Sequence, residues 1–403
     1  MSEWRRGWHI VLGCAIGSGF GAVLLFFTFS LFVLPITREF GVTRGEIATI
    51  QSLVVAGALG APLIGRATDR LGFRAVFLAS MIAVIALEFL VAFAVTGVRG
   101  LAVCVFLIGL IGVGTTGLTV TRPVNAWFDA QRGLALGLSA CGIAIATILV
   151  PPPLEALAAA CGWRAGFAAL GVLAAVIGLP AVYLLVRNEP PEPLRREGRT
   201  PGHRSSDWSF LREGGFWLMA CSLIVMGAAG SGFIGQMSPM IQEEGLSART
   251  AAFALSSFAI GQVSGRLIGG WCLDRFDPRR IAILLNLIPA SGFLLLWGFD
   301  HLGATALAAA YLIGFQQGSE HDIFAYFTAR RFGIGNYGTV YGALIGLGWI
   351  GNAAGLIGVG RLHDGFGNYM LAQLLGASAL AFGALLFVLI RLPERRQTAV
   401  IPA

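Results

Sequence analysis

Lysine is missing altogether: the 28 basic side chains of this 403-residue chain are all arginine. That reads as compositional bias, with no mechanism attached. Charge of either sign is sparse, at 12% of residues, too little to keep a chain of this length dispersed in water. A balance of +7 would suggest nucleic acid in a soluble protein. Here the arginines follow membrane orientation instead, and no nucleic-acid partner is expected. The six cysteines (Cys14, Cys104, Cys141, Cys161, Cys221 and Cys272) form no CxxC and no metal-like pair with histidine. They lie in or at the ends of apolar runs and read as inert packing residues. A nucleophile–base pair, a metal cluster and a nucleotide loop are also lacking, so neither an enzyme nor a cofactor is expected. No cleavable leader is evident, because the first apolar run is long enough to span and lacks a short h-region followed by an A-x-A site.

What the chain has is apolar length. It is 56% hydrophobic, with 56 glycines and a mean hydropathy of +0.77. Segments of about 20 apolar residues, each able to cross roughly 30 Å of hydrocarbon, recur from end to end. Twelve spans are predicted, at 9–35, 46–66, 74–96, 100–127, 133–157, 163–187, 214–240, 249–273, 279–298, 304–327, 338–361 and 368–391. Backbone cannot be left unsatisfied in lipid, so each should be an α-helix. The stretch "RNEPPEPLRREGRTPGHRSSDW" (187–208) is charged and proline-rich, a solvated linker. The expected organisation is an N-terminal six-helix half (1–187), a cytoplasmic linker (188–213) and a C-terminal six-helix half (214–403). Placing the N-terminus inside puts twenty arginines at cytoplasmic ends and loops against six on the other face, with Arg122 and Arg266 left inside spans. That bias predicts an inner-membrane, multi-pass protein with both termini cytoplasmic.

The halves repeat each other. "LPITREFGVTRGEIATIQSLVVAGALGAPLIGRATDRLGFR" after the first span parallels "SPMIQEEGLSARTAAFALSSFAIGQVSGRLIGGWCLDRFDPRR" after the seventh. Pro35 and Gly41 correspond to Pro239 and Gly245, and Asp69-Arg70 to Asp274-Arg275. "TRPVNAWFDAQRG" likewise parallels "EHDIFAYFTARRFG". Two homologous halves favour a cavity at their interface.

"GRATDRLGFR" (65–74) and "GGWCLDRFDPRR" (269–280) fall in matching loops. Both share G-x-x-x-D-R within the form G-x-x-x-D-R-x-G-x-R, which resembles the signature loop of the major facilitator superfamily. Gly65 and Gly270 would let helices approach, while Asp69, Arg70, Arg74, Asp274 and Arg275 would latch the cytoplasmic face through carboxylate–arginine pairs. "RGWHIVL" (6–12), "LPITREFGVTRGEI" (34–47), "WFDAQRGLALGL" (127–138), "GWRAGF" (162–167) and "GRLHDGFGNY" (360–369) extend the likeness over nearly the whole chain. Within the superfamily they resemble the monocarboxylate porter and oxalate–formate antiporter group. The resemblance implies an all-α membrane protein of twelve helices around a central cavity, and a secondary transporter.

An ionisable group inside a span costs on the order of 2.5–3.5 kcal/mol on insertion scales, so each should face protein or a wet cavity. Arg266, in "QVSGRLIGG", occupies the place where the resembled group implies a substrate-carboxylate ligand, and a guanidinium fork suits that task. The competing reading is a structural latch to a neighbouring helix. Arg122 ends a stripe with Thr115 and Thr119 at helical spacing, which should line the cavity; snorkelling to headgroups is the alternative. Gln262, Phe29 and Tyr341 are the other substrate candidates. Phe26, Phe27, Tyr337 and Trp349 complete a possible apolar wall for a carboxylate with an aromatic body. The resembled proton-linked porters carry a Lys where this chain has Phe29 and an Asp where it has Gln262, so a relay through those positions is lacking here. Glu88 and Glu155 are isolated, and His9, His203, His301 and His363 fall near interfaces or in loops, so none is given a role.

In "QQGSEHDIFAYF" (316–327) three ionisable residues adjoin inside a span. At 100° per residue, Gln316, Gln317, Glu320 and His321 share one face about 140° wide, and Asp322 points a further 100° away, to pair with a neighbouring helix or cap backbone. Glu320 and His321, with Asp322 beside them, are the proton-coupling candidates, since a histidine beside carboxylates changes charge near neutrality. The sequence reading is thus a transporter of a small organic anion, a monocarboxylate, using protons or a counter-substrate, embedded as a monomer in the bilayer. Two rivals stand against it: a drug or cation exporter with Glu320 as the cation site, and a transport-dead receptor.

Overall fold

The computed structural model describes residues 3–128, 131–186, 208–296, 303–333 and 337–390. Among them the chain is helical throughout, with no strand, as backbone in hydrocarbon requires. Twelve rods run in order: α1 (3–40), α2 (44–71), α3 (Phe73–Phe93), α4 (Val98–Trp127), α5 (132–161) and α6 (Trp163–Leu185). The second half supplies α7 (Gly214–Glu243), α8 (Ala248–Arg275), α9 (Pro278–Leu295), α10 (Gly303–Phe332), α11 (Tyr337–Phe366) and α12 (Met370–Leu389). Eight rods are long and apolar enough to cross a membrane, and α1 and α5 join them if their bends of 45° and 41° are counted within one span. The other two are instructive. α2 is interrupted by a 3-10 turn at Leu53–Ala56, and α10 is diluted by the polar run at 316–322.

The repeat predicted from sequence has a backbone counterpart. Pro35 and Pro239 both sit inside helices, and Gly41 and Gly245 both take left-handed φ angles, +63° and +81°. That conformation suits glycine and ends each helix at the same step. The first half departs from ideal rods more than the second. α1 breaks at residues 19–21, and the amide of Ala22, which starts the next piece without a helical partner, donates to Thr115 Oγ1 at 3.1 Å. Thr115 itself closes a 3-10 turn at Val113–Thr115 that breaks α4. The two breaks thus satisfy each other.

Close approach depends on seams of small residues. A Cβ on Gly261, Gly265, Gly314 or Gly318 would come within 2.0–2.2 Å of a carbonyl oxygen on the facing helix, so α8 and α10 touch backbone to backbone. Gly351 and Gly355 do the same for α11 on α7. Gly65 and Gly270 are the loop-signature glycines expected to permit helix approach, yet a Cβ on either would meet nothing within 4 Å. That expectation is corrected: the contact glycines lie in mid-span, and the loop glycines sit in open space.

Both halves begin and end on one face, here the terminal face, which carries Glu3, Trp127, Trp208 and Ile390; Phe40, Arg44, Glu243 and Phe366 lie on the far face. The halves pack together toward the far face. There the piece Ser30–Phe40 meets α7, Arg44–Ser52 meets α11, and α5 meets α8. The terminal-face pieces at Glu3–Gly19, Gly57–Leu71 and Gly117–Trp127 make no comparable packing against the second half. The molecule is closed at the far face and parts toward the terminal face.

Candidate functional site

Arg266 follows Gly265 directly, so its side chain leaves α8 beside the seam with α10. Its Nε lies 3.7 Å from Asp322 Oδ2, with side-chain exposures of 46% and 36%. A pair this long and this open is worth about 0–1 kcal/mol, so Asp322 orients the guanidinium without locking it. His321 is exposed beside it, and its carbonyl accepts from the hydroxyl of Tyr341 on α11 at 3.3 Å. Gln262 sits one turn before Arg266 on the same helix face and is half-buried, its carbonyl packed against Gly318. Arg266, Asp322, His321 and Tyr341 therefore come from three helices of the second half and lie toward their terminal-face ends.

The polar run on α10 is divided differently from expectation. Glu320 is 3% exposed and belongs with Gln316 and Gln317, not with His321. Gln316 Nε2 donates to Glu320 Oε2 at 2.8 Å and to Asn286 Oδ1 of α9 at 3.1 Å, and Gln317 Nε2 donates to the same carboxylate oxygen at 3.4 Å. Asp322, expected to pair with a neighbouring helix or cap backbone, does pair across helices, with Arg266 of α8 at 3.7 Å. The physical reason is that α10 is covered on two sides at this level, by α8 through glycines and by α9 through Asn286, so only one narrow face stays open.

The α4 stripe is also corrected. Thr115 and Thr119 are buried, and their hydroxyls donate to backbone carbonyls of the broken turn: Thr115 to Gly112, Thr119 to Gly114 and Thr116. The 3-10 turn shifts the register of Thr115 against Arg122, whereas Thr119 shares an unbroken helix piece with Arg122 and is buried while Arg122 is exposed. Phe29 is fully buried against Phe167 of α6 and lines no opening. Phe27, by contrast, reaches Phe258 of the second half at 6.3 Å between ring centroids. Trp349 is exposed. The side chains of Tyr337, Asp69 and Asp274 lie outside the described residues. Arg74 donates to the Tyr183 carbonyl at 2.5 Å and stacks over its ring within the first half. Arg275 stacks on Trp271 of its own helix, and Arg70 is exposed. The partners given for Arg74 and Arg275 lie within their own halves.

Bonds that cross the halves occur at the far face, in residues to which the sequence assigned no role. Arg44 Nη1, at the start of α2, is 2.6 Å from Glu243 Oε2 and 2.8 Å from the hydroxyl of Tyr369. Asp364 at the end of α11 accepts from the backbone amides of Arg44 and Gly45, at 3.1 and 2.9 Å. It thereby caps the N-terminus of a helix in the other half. His363 Nε2 lies 2.9 Å from Glu243 Oε2. A signal exists, since "TRGE" and "GRLHDGFGNY" both carry recognisable pattern, but nothing in either segment says that the two meet.

Two related halves of spanning helices, packed on one face and carrying a half-exposed arginine between helices toward the other, have the architecture of a membrane transporter. The profile described as Major Facilitator Superfamily matches residues 14–355, and the chain is a member of that superfamily. Its relatives are transporters rather than enzymes. Monocarboxylate transporter 13 of Rattus norvegicus is 27% identical, covering 96% of this chain and 89% of that one. Monocarboxylate transporter 11 of Homo sapiens is 25% identical over 66% of this chain, which spans 58% of that relative's length. The uncharacterized MFS-type transporter YcxA of Bacillus subtilis (strain 168) is 23% identical, covering 70% and 74%. Among solved structures, the nucleoside transporter NupG superposes with a TM-score of 0.76 at 13% identity, covering 94% of this chain and 99% of that one. A bacterial homolog of the human lysosomal transporter Spinster, inward-facing and occupied, gives 0.72 at 14%, covering 97% of each. These two likenesses bear on the fold alone.

Proposed function

We propose that the chain is a secondary transporter of a small organic anion, a monocarboxylate, moved by alternating access through an inner (plasma) membrane with both termini cytoplasmic. The observation that carries this reading is Arg266, a permanent cation inside a span, half-exposed and held only loosely by Asp322 at 3.7 Å. A substrate carboxylate offers the guanidinium two oxygens in place of one distant one, and so displaces Asp322 at little cost. With the far face latched and the terminal face open, the anion reaches Arg266 from the terminal side. Release to the other side requires the Arg44–Glu243 and Asp364 contacts to part. Arg122 is a second cation for the anion from the first half, and Phe27 offers the apolar surface expected at Phe29. The names of the mammalian relatives support the carboxylate class. The chain acts as a monomer in this reading, with protons or a counter-substrate as its coupling partner. A cation exporter using Glu320 is disfavoured, because that carboxylate is covered by amides and buried.

The test is equilibrium binding of benzoate and lactate to detergent-purified protein, with a lipophilic cation as competitor. Losing a hydrogen bond to a charged group costs about 1.5–3 kcal/mol, so Arg266→Gln should weaken anion binding roughly 10- to 150-fold, and Arg266→Lys less. Equal affinity for unaltered and Arg266→Gln protein, both monodisperse, refutes the assignment.

A further inference from the structure

We propose that the far-face junction of α3 and α4 binds one anionic glycerophospholipid of the surrounding bilayer, its phosphate on Arg99 and an acyl chain in the cleft beside it. The inference asks only that the chain span a membrane, so it stands apart from the identity of substrate and coupling partner.

The cleft arises from a shortage of side chains. Between the end of α3 and the first turn of α4 the chain places Ala94, Thr96, Gly97 and Gly100, and an opening of about 850 Å³ remains there. A Cβ on Gly97 would meet nothing within 4 Å, and one on Gly100 would come to an ordinary 3.4 Å from Val95. The floor of the opening is tightly packed, with Val95 and Cys104 both buried. Arg164 of α6 ties this floor to the rest of the half: its Nη2 donates to the Val95 carbonyl at 3.0 Å, and its Nη1 pairs with Glu39. The cleft is therefore built into the packed half.

Its walls suit hydrocarbon. Leu90 and Val103 line it and are 46% and 57% exposed. α3 and the outer turns of α4 pack on helices of the first half, and the far face is closed by contacts made elsewhere. These side chains therefore face the bilayer and not the path between the halves. Any lipid chain can lie against such a wall, so selectivity must come from the rim.

Arg99 stands at that rim, exposed, and among the described residues it has no ion pair, hydrogen bond or ring contact. Other far-face arginines are engaged: Arg44 with Glu243, Arg164 with Glu39, and Arg249 over the ring of Phe253. The corresponding loop of the second half, 296–302, carries no arginine, so the repeat does not demand a cation here. A guanidinium without an acid of its own, beside an apolar cleft at headgroup depth, matches the two ends of one molecule. Its fork takes two phosphate oxygens, and the walls take the chain. The Thr96 hydroxyl at the same rim is a further donor for a headgroup oxygen. A choline headgroup offers the same phosphate but sets a second cation beside Arg99, which an anionic lipid does not. Free phosphate would leave the apolar walls unused, so the occupant is a lipid.

Photolabelling of the full chain in phosphatidylcholine vesicles tests this. The vesicles carry a trace of phosphatidylglycerol or of phosphatidylcholine with a diazirine near the carboxyl end of one acyl chain. Mass spectrometry reads the label on residues 90–104 relative to that on α12, a lipid-exposed span with no charged residue. One basic residue near anionic lipid is worth about fivefold in occupancy, so the relative label should be roughly fivefold higher for phosphatidylglycerol. Arg99→Gln, at an exposed position, should bring the two lipids to parity without changing the label on α12. Val103→Trp, which fills the cleft and keeps the cation, should also remove the preference. Equal labelling by both lipids in the unaltered protein means bulk contact only and overturns the proposal. A phosphatidylglycerol preference that survives either substitution overturns it as well.

Discussion

Asp364→Ala is the sharpest perturbation of the closed far face. Asp364 reaches across the halves to accept the amides of Arg44 and Gly45 at 3.1 and 2.9 Å, where α2 begins. Thr43 and Glu46 already form a capping box on that helix, so removing Asp364 leaves α2 folded and strips only the bond between halves. Hydrogen bonds to charged groups are worth about 1.5–3 kcal/mol when shielded, but Asp364 is exposed, so about 1 kcal/mol each is appropriate. The loss of about 2 kcal/mol multiplies the ratio of far-open to far-closed molecules roughly 30-fold. Spin labels at positions 38 and 246, on opposite sides of the latch, read that ratio as a distance distribution. If the long-distance population is about 1% in the parent, it should rise to about a quarter in the variant. A distribution unchanged by Asp364→Ala, with the protein still monodisperse, would refute the latch.

Two further outcomes follow from packing and from charge. Gly318→Ala places a Cβ 2.0 Å from the Gln262 carbonyl oxygen, which backbone cannot yield, whereas Gly270→Ala meets nothing within 4 Å. Overpacking of this kind costs about 1–3 kcal/mol, so the thermal midpoint in detergent should fall for the first and hold or rise for the second; equal midpoints would dismiss the seam. At the far-face end of α1, beyond the spanning segment, hydrogen bonds from Arg164 and then from Trp163 hold the Glu39 carboxyl below its usual range. A carboxyl depressed in the folded state adds stability above its unfolded pKa, near ~4.3, and loses it as pH falls through the lower folded value. The unaltered protein should therefore lose more thermal stability on acidification than Arg164→Met, and parallel losses would remove Glu39 from that account.

The family and the number of rods were legible because lipid leaves a chain few options. Long apolar runs must become helices, and the paired Pro–Gly and Asp–Arg spacings recur in both halves whatever the tertiary packing. Helix faces were less legible. Angular spacing at 100° per residue groups Glu320 with His321 and Thr119 with Arg122, and each grouping fails for a local reason. On α4 the Thr119 hydroxyl turns back to the carbonyls of Gly114 and Thr116 at the broken turn and is buried, while Arg122 is exposed. On α10 the glycine contact with α8 and the Asn286 bond to α9 determine which part of a polar arc stays open. Arg266 was legible as a charge out of place, and its half-open pairing with Asp322 was not.

By itself, then, the sequence determined that this protein is a two-half bundle of spanning helices, since composition and repeat spacing act one segment at a time. Which glycines touch, which acid is buried, and which face is latched are decided only when helices distant in sequence meet. Arg44 and Asp364 stand 320 positions apart, and no periodicity within either segment encodes the bond between them.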